Sequence, residues 1–161
     1  MKKILIPLLL VIMFLIPIEE KNIRIRVLAN SNDEYDQEIK KEVVEIVKDE
    51  FKSKMQNIEN IDKARVKIEN SLPELSSKID KFLQEKNINY GFKINFGLNY
   101  FPPKELNGKK YDEGYYESVL ITLGEGSGDN WWCILFPSIC LTEENANYES
   151  LIKNIFEKIF Y

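Results

Sequence analysis

The sequence predicts an α+β fold, a mainly antiparallel sheet of about four strands packed with helices, in the order β-α-α-α-β-β-β-α. Three observations predict it. Residues 23–29 alternate like a half-buried strand, residues 39–86 repeat at helical spacing, and three strand-like segments lie between 92 and 136.

Met1-Lys2-Lys3 opens the chain with positive charge, and an apolar run from Ile4 to Ile18, carrying Pro7, ends at Glu19-Glu20-Lys21. This is the pattern of a secretory signal peptide. As helix, these residues reach only about 22 Å, short of a ~30 Å hydrocarbon core. No small-x-small pair stands around Ile16-Pro17-Ile18, so the leader is either removed or kept as a short anchor. Residues 1–18 are therefore read as leader and residues 19–161 as a single extracytoplasmic domain.

In the first strand Ile23, Ile25 and Val27 share one face, and Arg24, Arg26 and Leu28 the other. Ser31 and Glu34 have capping-box spacing, and Asp33, Glu34, Asp36 and Glu38 suit a helix N-terminus. Ile39, Val43, Ile46, Val47, Phe51 and Met55 carry that helix to about Met55. Pro73 predicts a break in the next helical stretch, with Ser71 and Glu74 as a second capping box. Two helices are expected, 62–70 and 72–86. Phe92, Ile94, Phe96 and Leu98 alternate as a strand, and a polar loop with Pro102, Pro103 and Gly108 follows. Strands are expected over 115–123 and 131–136, and an amphipathic helix over 147–161.

Composition narrows the function. The chain has no histidine, which excludes Ser-His and Cys-His triads and His-ligated metal. Without the leader, 20 basic residues face 26 acidic ones, a net charge of −6. That sign argues against nucleic acid and against electrostatic docking on anionic lipid. No metal site, cofactor or small-molecule substrate is expected. The carboxylates show no acid/base spacing, although a two-carboxylate glycosidase pair would meet only in three dimensions.

Gly124-Glu125-Gly126-Ser127-Gly128-Asp129-Asn130 superficially resembles a phosphate loop, but a strand pattern and not a helix follows it. It reads as a glycine-rich hairpin loop that can present backbone groups to a partner. Trp131, Cys133 and Leu135 alternate with Trp132, Ile134 and Phe136, so both faces of that strand are apolar and require cover. The cover is the chain itself or another protein; in the second case a tryptophan joins a contact surface. Cys133 and Cys140 flank Pro137-Ser138 and would oppose each other across a symmetric hairpin. A disulfide between them is favoured over two buried thiols. Phe136-Pro137 is compatible with either isomer. Arg24 and Arg26, with Lys93 beside them, read as a solvated basic stripe.

Three stretches together carry a family resemblance. Ile23-Arg24-Ile25-Arg26-Val27-Leu28-Ala29-Asn30-Ser31 with Asp36-Gln37, Glu69-Asn70-Ser71-Leu72-Pro73-Glu74, and Gly124 through Leu141 resemble stage II sporulation protein R. The chain departs from that pattern at Asp112-Glu113 and at Pro103. The resemblance implies a non-enzymatic signal made in the forespore and exported into the space between the two sporulation membranes. There it would meet the extracytoplasmic part of a mother-cell, membrane-embedded aspartic-type protease that processes pro-sigma-E. Membrane contact would occur only through a retained leader. The expected contact residues are Arg26, Asn30, Ser31, Gly126, Gly128, Asn130, Trp131 and Trp132. The rival readings are an extracytoplasmic cell-wall hydrolase and an envelope structural protein.

Overall fold

A computed structural model describes residues 22–106 and 109–137 of the protein. The leader, Gly108, Cys140 and the expected helix over 147–161 lie outside the described residues. In chain order the elements are β1 (Ile23–Leu28), α1 (Glu34–Lys54), α2 (Ile61–Glu85), β2 (Phe92–Phe101), β3 (Lys104–Leu106), β4 (Lys109–Tyr111), β5 (Gly114–Leu123) and β6 (Asn130–Phe136).

The α+β class holds. Four strands form one sheet in the order β2-β5-β1-β6, and β3 and β4 make a small separate ladder. The sheet is mixed: β2–β5 and β1–β6 are antiparallel, whereas β1 and β5 at its centre run parallel. The chain leaves β1 through two helices and returns through β2 before laying β5 beside β1. A connection of that length permits parallel pairing.

The alternation in β1 sets the two faces. Ile23, Ile25 and Val27 are buried with Val119, Ile121 and Leu123 of β5 against Val43, Phe51 and Ile68 of the helices. The opposite face carries Arg24 and Arg26 and has its own smaller cluster of Phe101, Trp132 and Ile134, joined by Tyr111 and Tyr116. Among the described residues no helix is long and apolar enough to cross a membrane.

Pro73 does not break the second helical stretch. Residues 61–85 form one helix with Pro73 inside it. Pro73 and Glu69, the residue whose carbonyl loses its donor, are both exposed, so water can replace the missing bond. Ser71 is accordingly no cap: it is buried, and its hydroxyl donates to the Lys67 carbonyl at 2.7 Å. The cap of α2 is Asn60, whose side chain accepts from Lys63 N at 2.9 Å. Glu74, freed from the expected capping role, accepts from Lys54 at 2.6 Å. The carboxylate of Glu50, fully buried between the helices, accepts from Lys54 and, at 2.6 Å, from Lys78. These ion pairs fasten α1 to α2 beside their apolar seam.

β6 departs from simple alternation at its end. The register shifts between Ile23 and Arg24, so Ile23 pairs with Phe136 while Arg24 pairs with Ile134. This irregularity turns Phe136 onto the helix side with Leu135, against the expectation that Phe136 follows Trp132 and Ile134. The Phe136-Pro137 bond is cis.

Candidate functional site: a bracketed glycine loop and an arginine–aromatic face

The segment after β1 and the glycine loop before β6 are built as one unit. Backbone bonds run from Ser127 N to Asn30 O and from Gly128 N to Ala29 O, each 3.1 Å. Side chains complete the bracket. Asn30 Oδ1 accepts from Glu125 N at 3.0 Å, Asn32 Oδ1 accepts from Asp129 N at 2.7 Å, and Ser127 Oγ donates to Asn30 O at 2.7 Å. Lys40 of α1 donates to the Asp129 carbonyl at 3.1 Å.

Asp36, in the first turn of α1 and 7% exposed, is the hub behind this bracket. It accepts from Asn30 Nδ2 at 2.8 Å, Ser31 Oγ at 2.7 Å and Tyr90 OH at 2.8 Å. Burial alone would raise its pKa, but the bonds from Ser31, Asn30 and Tyr90 favour the charged form and hold it below the usual carboxylate value. Burial, then the bond to Asp36, raises that of Tyr90. Ser31 therefore serves Asp36 and the Asp33 N–H, not the expected capping box. The cap position of α1 is Asp33, and it makes no side-chain cap bond.

Packing explains the glycines. A Cβ on Gly124, where φ is +53°, would lie 2.0 Å from Asn30 Oδ1, and one on Gly128 would lie 2.1 Å from the Ser31 carbonyl oxygen. Close backbone approach, and not phosphate, is what these positions accommodate. At Gly126 φ is +66°, and its N–H closes a turn to Leu123 O at 3.0 Å.

The sheet face opposite α1 and α2, helix-free among the described residues, is the second region. Arg24 is no solvated stripe residue: it is 5% exposed. Its Cζ lies 3.4 Å from the Tyr116 ring centroid, with Trp132, Phe101 and Tyr111 at 5.3, 5.5 and 5.7 Å. The rings meet edge to face around it; Tyr111 and Trp132 are 5.0 Å apart, and Phe101 and Tyr116 5.8 Å. The strand register assembles the cage, since Arg24 faces Ser118 of β5 and Ile134 of β6, each two residues along its strand from Tyr116 and Trp132 respectively and so on the same face. Arg26 stands two residues further along, half-buried, and donates to the Tyr100 carbonyl at 3.2 Å. Burial lowers its pKa. Among the described residues, Arg26 Nε and Asn130 Oδ1 are buried without a hydrogen-bond partner.

The expected contact residues thus fall into three places. Asn30, Ser31, Gly126 and Gly128 lie in the bracket, where they hold the loops together. Arg26, Asn130 and Trp132 lie on the helix-free face, where Trp132 is 8% exposed and packs in the cage. Trp131 faces the other way, packed on the main core with Lys48 Nζ 5.9 Å from its ring. Cys133 is buried on that helix side.

Asp36 was legible only as a helix-start acid, although it stands in the signature stretch. Tyr90 and Tyr111 had no sequence signal, because each reaches its partner through a turn or hairpin that pattern does not place.

Residues 19–146 match the family described as Stage II sporulation protein R (spore_II_R). Stage II sporulation protein R of Bacillus subtilis (strain 168) is 36% identical over 126 residues, which are 78% of this chain and 56% of that protein. The chain thus spans little more than half the length of this curated relative. No solved structure matches significantly. The bracket is built largely from the first and third of the stretches that carry the resemblance, which also supply Arg24 and Trp132 of the cage, and the chain belongs to the stage II sporulation protein R family.

Proposed function

We propose that this protein, whose family gives it a role in sporulation, is a secreted, non-enzymatic forespore-to-mother-cell signal. It crosses the forespore membrane by its leader and activates the membrane-embedded aspartic-type protease that processes pro-sigma-E. A ligand shifts such an equilibrium only by binding the active state more tightly than the inactive one. A rigid surface suits that task, because little ordering cost is left for the moment of binding.

One observation carries the reading: the signature residues Asn30, Ser31, Asp36, Gly124 and Gly128 hold two loops in one fixed shape. Arg26 and Asn130, both half-buried on the sheet face away from the described helices, are the polar side chains assigned to the partner contact. The pairing of Cys133 with Cys140 belongs to the same proposal, since export permits oxidation.

The test is reconstitution. The protein, the protease and the sigma precursor are produced together in a non-sporulating host, and precursor cleavage is expected only when all are present. Folded, exported protein without cleavage would sink the reading. Cleavage that survives Arg26→Ala and Asn130→Ala would move the contact away from the helix-free face.

A further inference from the structure

Among the described residues, β2 is an outer strand of the four-stranded sheet. Its ten residues span about 33 Å. Natural sheets guard such edges with charges, proline or bulges. β2 pairs with β5 in unbroken register from Phe92 to Phe101, contains no proline and carries one charge, Lys93. On the helix side its last residues reach beyond cover: Leu98 is 71% exposed and Tyr100 47%. Tyr115 of β5, 72% exposed, meets Tyr100 edge to face at 5.7 Å. The adjoining charges, Arg65 and Glu117, are already paired with each other at 2.7 Å.

We propose that this edge is a self-association seam, at which β2 of one copy pairs antiparallel with β2 of a second copy and extends the sheet across both. The strand is complementary to itself. With the two-fold axis at Gly97, Leu98 faces the second copy's Phe96, and Tyr100 faces the second copy's Ile94. Polar Asn95 faces the second copy's Asn99, and Lys93 faces the second copy's Phe101. Apolar meets apolar on the helix side, and no like charges oppose each other. Gly97 suits the axis, since nothing lies within 4 Å of the Cβ it lacks. A glycine within a strand lets another backbone approach closely. The seam covers Leu98 and Tyr100, the large apolar side chains of β2 that the fold leaves most open.

Sedimentation equilibrium of the full chain in density-matched detergent tests this. A monomer–dimer equilibrium is expected, and Leu98→Lys should raise its dissociation constant roughly tenfold or more while leaving unchanged the melting temperature measured at concentrations where the chain is monomeric. Leu98→Ser, a milder change at the same exposed position, should weaken the dimer in the same direction. A chain that stays monomeric up to its solubility limit overturns the proposal, as it would if a partner's strand or residues 138–161 occupied the edge. A dimer indifferent to both substitutions overturns it equally, because its seam would lie elsewhere.

Discussion

The phenol of Tyr90 donates a 2.8 Å hydrogen bond to Asp36, tying the turn before β2 to the first turn of α1. Asp36 in turn holds Asn30 and Ser31, and Asn30 holds the glycine loop. Three connections that pattern alone leaves separate thereby become one rigid end of the molecule.

Acid should loosen that end. The folded Asp36 carboxyl sits below its ordinary value, so its stabilising contribution is fully present above the unfolded pKa near 4. It is lost as pH falls through the folded value. Asp36→Asn should cost about 1–3 kcal/mol at neutral pH and flatten the acid limb of the stability profile. Chemical denaturation between pH 3 and 7 measures both.

Gly128→Ala should destabilise by about 1–3 kcal/mol, because the new methyl meets the Ser31 backbone, which cannot rotate aside. Gly91→Ala is the control: its Cβ would have nothing within 4 Å. Melting temperatures of the two variants should separate clearly.

Arg24→Ala should cost about 2–4 kcal/mol through the lost ring contacts and the cavity left among Tyr116, Trp132 and Phe101. Arg24→Lys should recover only part of this, since an ammonium cannot stack its plane on Tyr116. Near-UV circular dichroism reports the loosened Trp132 together with the unfolding curve.

Trp132→Ala would separate signalling from stability only if the ring were a surface contact. At 8% exposure it is core, so a loss of about 3–5 kcal/mol is expected. Arg26→Ala is the cleaner probe of the proposed contact: precursor cleavage in the reconstituted host should fall while the melting temperature moves by only a few degrees. A melting loss as large as that of Trp132→Ala would make Arg26 structural.

Pattern in the sequence determined the α+β class, the four strands of the main sheet near their observed bounds, the long first helix, the two apolar faces of β6 and the family, but read the β3–β4 ladder as a polar loop. Strand alternation and helical periodicity are local, and each strong run had one structure that could bury it. Tertiary structure decided the rest. Pro73 stays helical because packing of Ile68, Leu75 and Ile79 on one side outweighs one exposed broken bond on the other. Arg24 is buried because the register of three strands and a small hairpin gathers aromatic rings from positions 101, 111, 116 and 132 around it. Ser31 gave up its expected place in a helix cap, and Asp36, in the first turn of α1 as expected, became a hub as well, because Asn30, Tyr90 and the glycine loop converge there from distant parts of the chain. Which buried polar group finds which partner is set by three-dimensional convergence, and no local period encodes that.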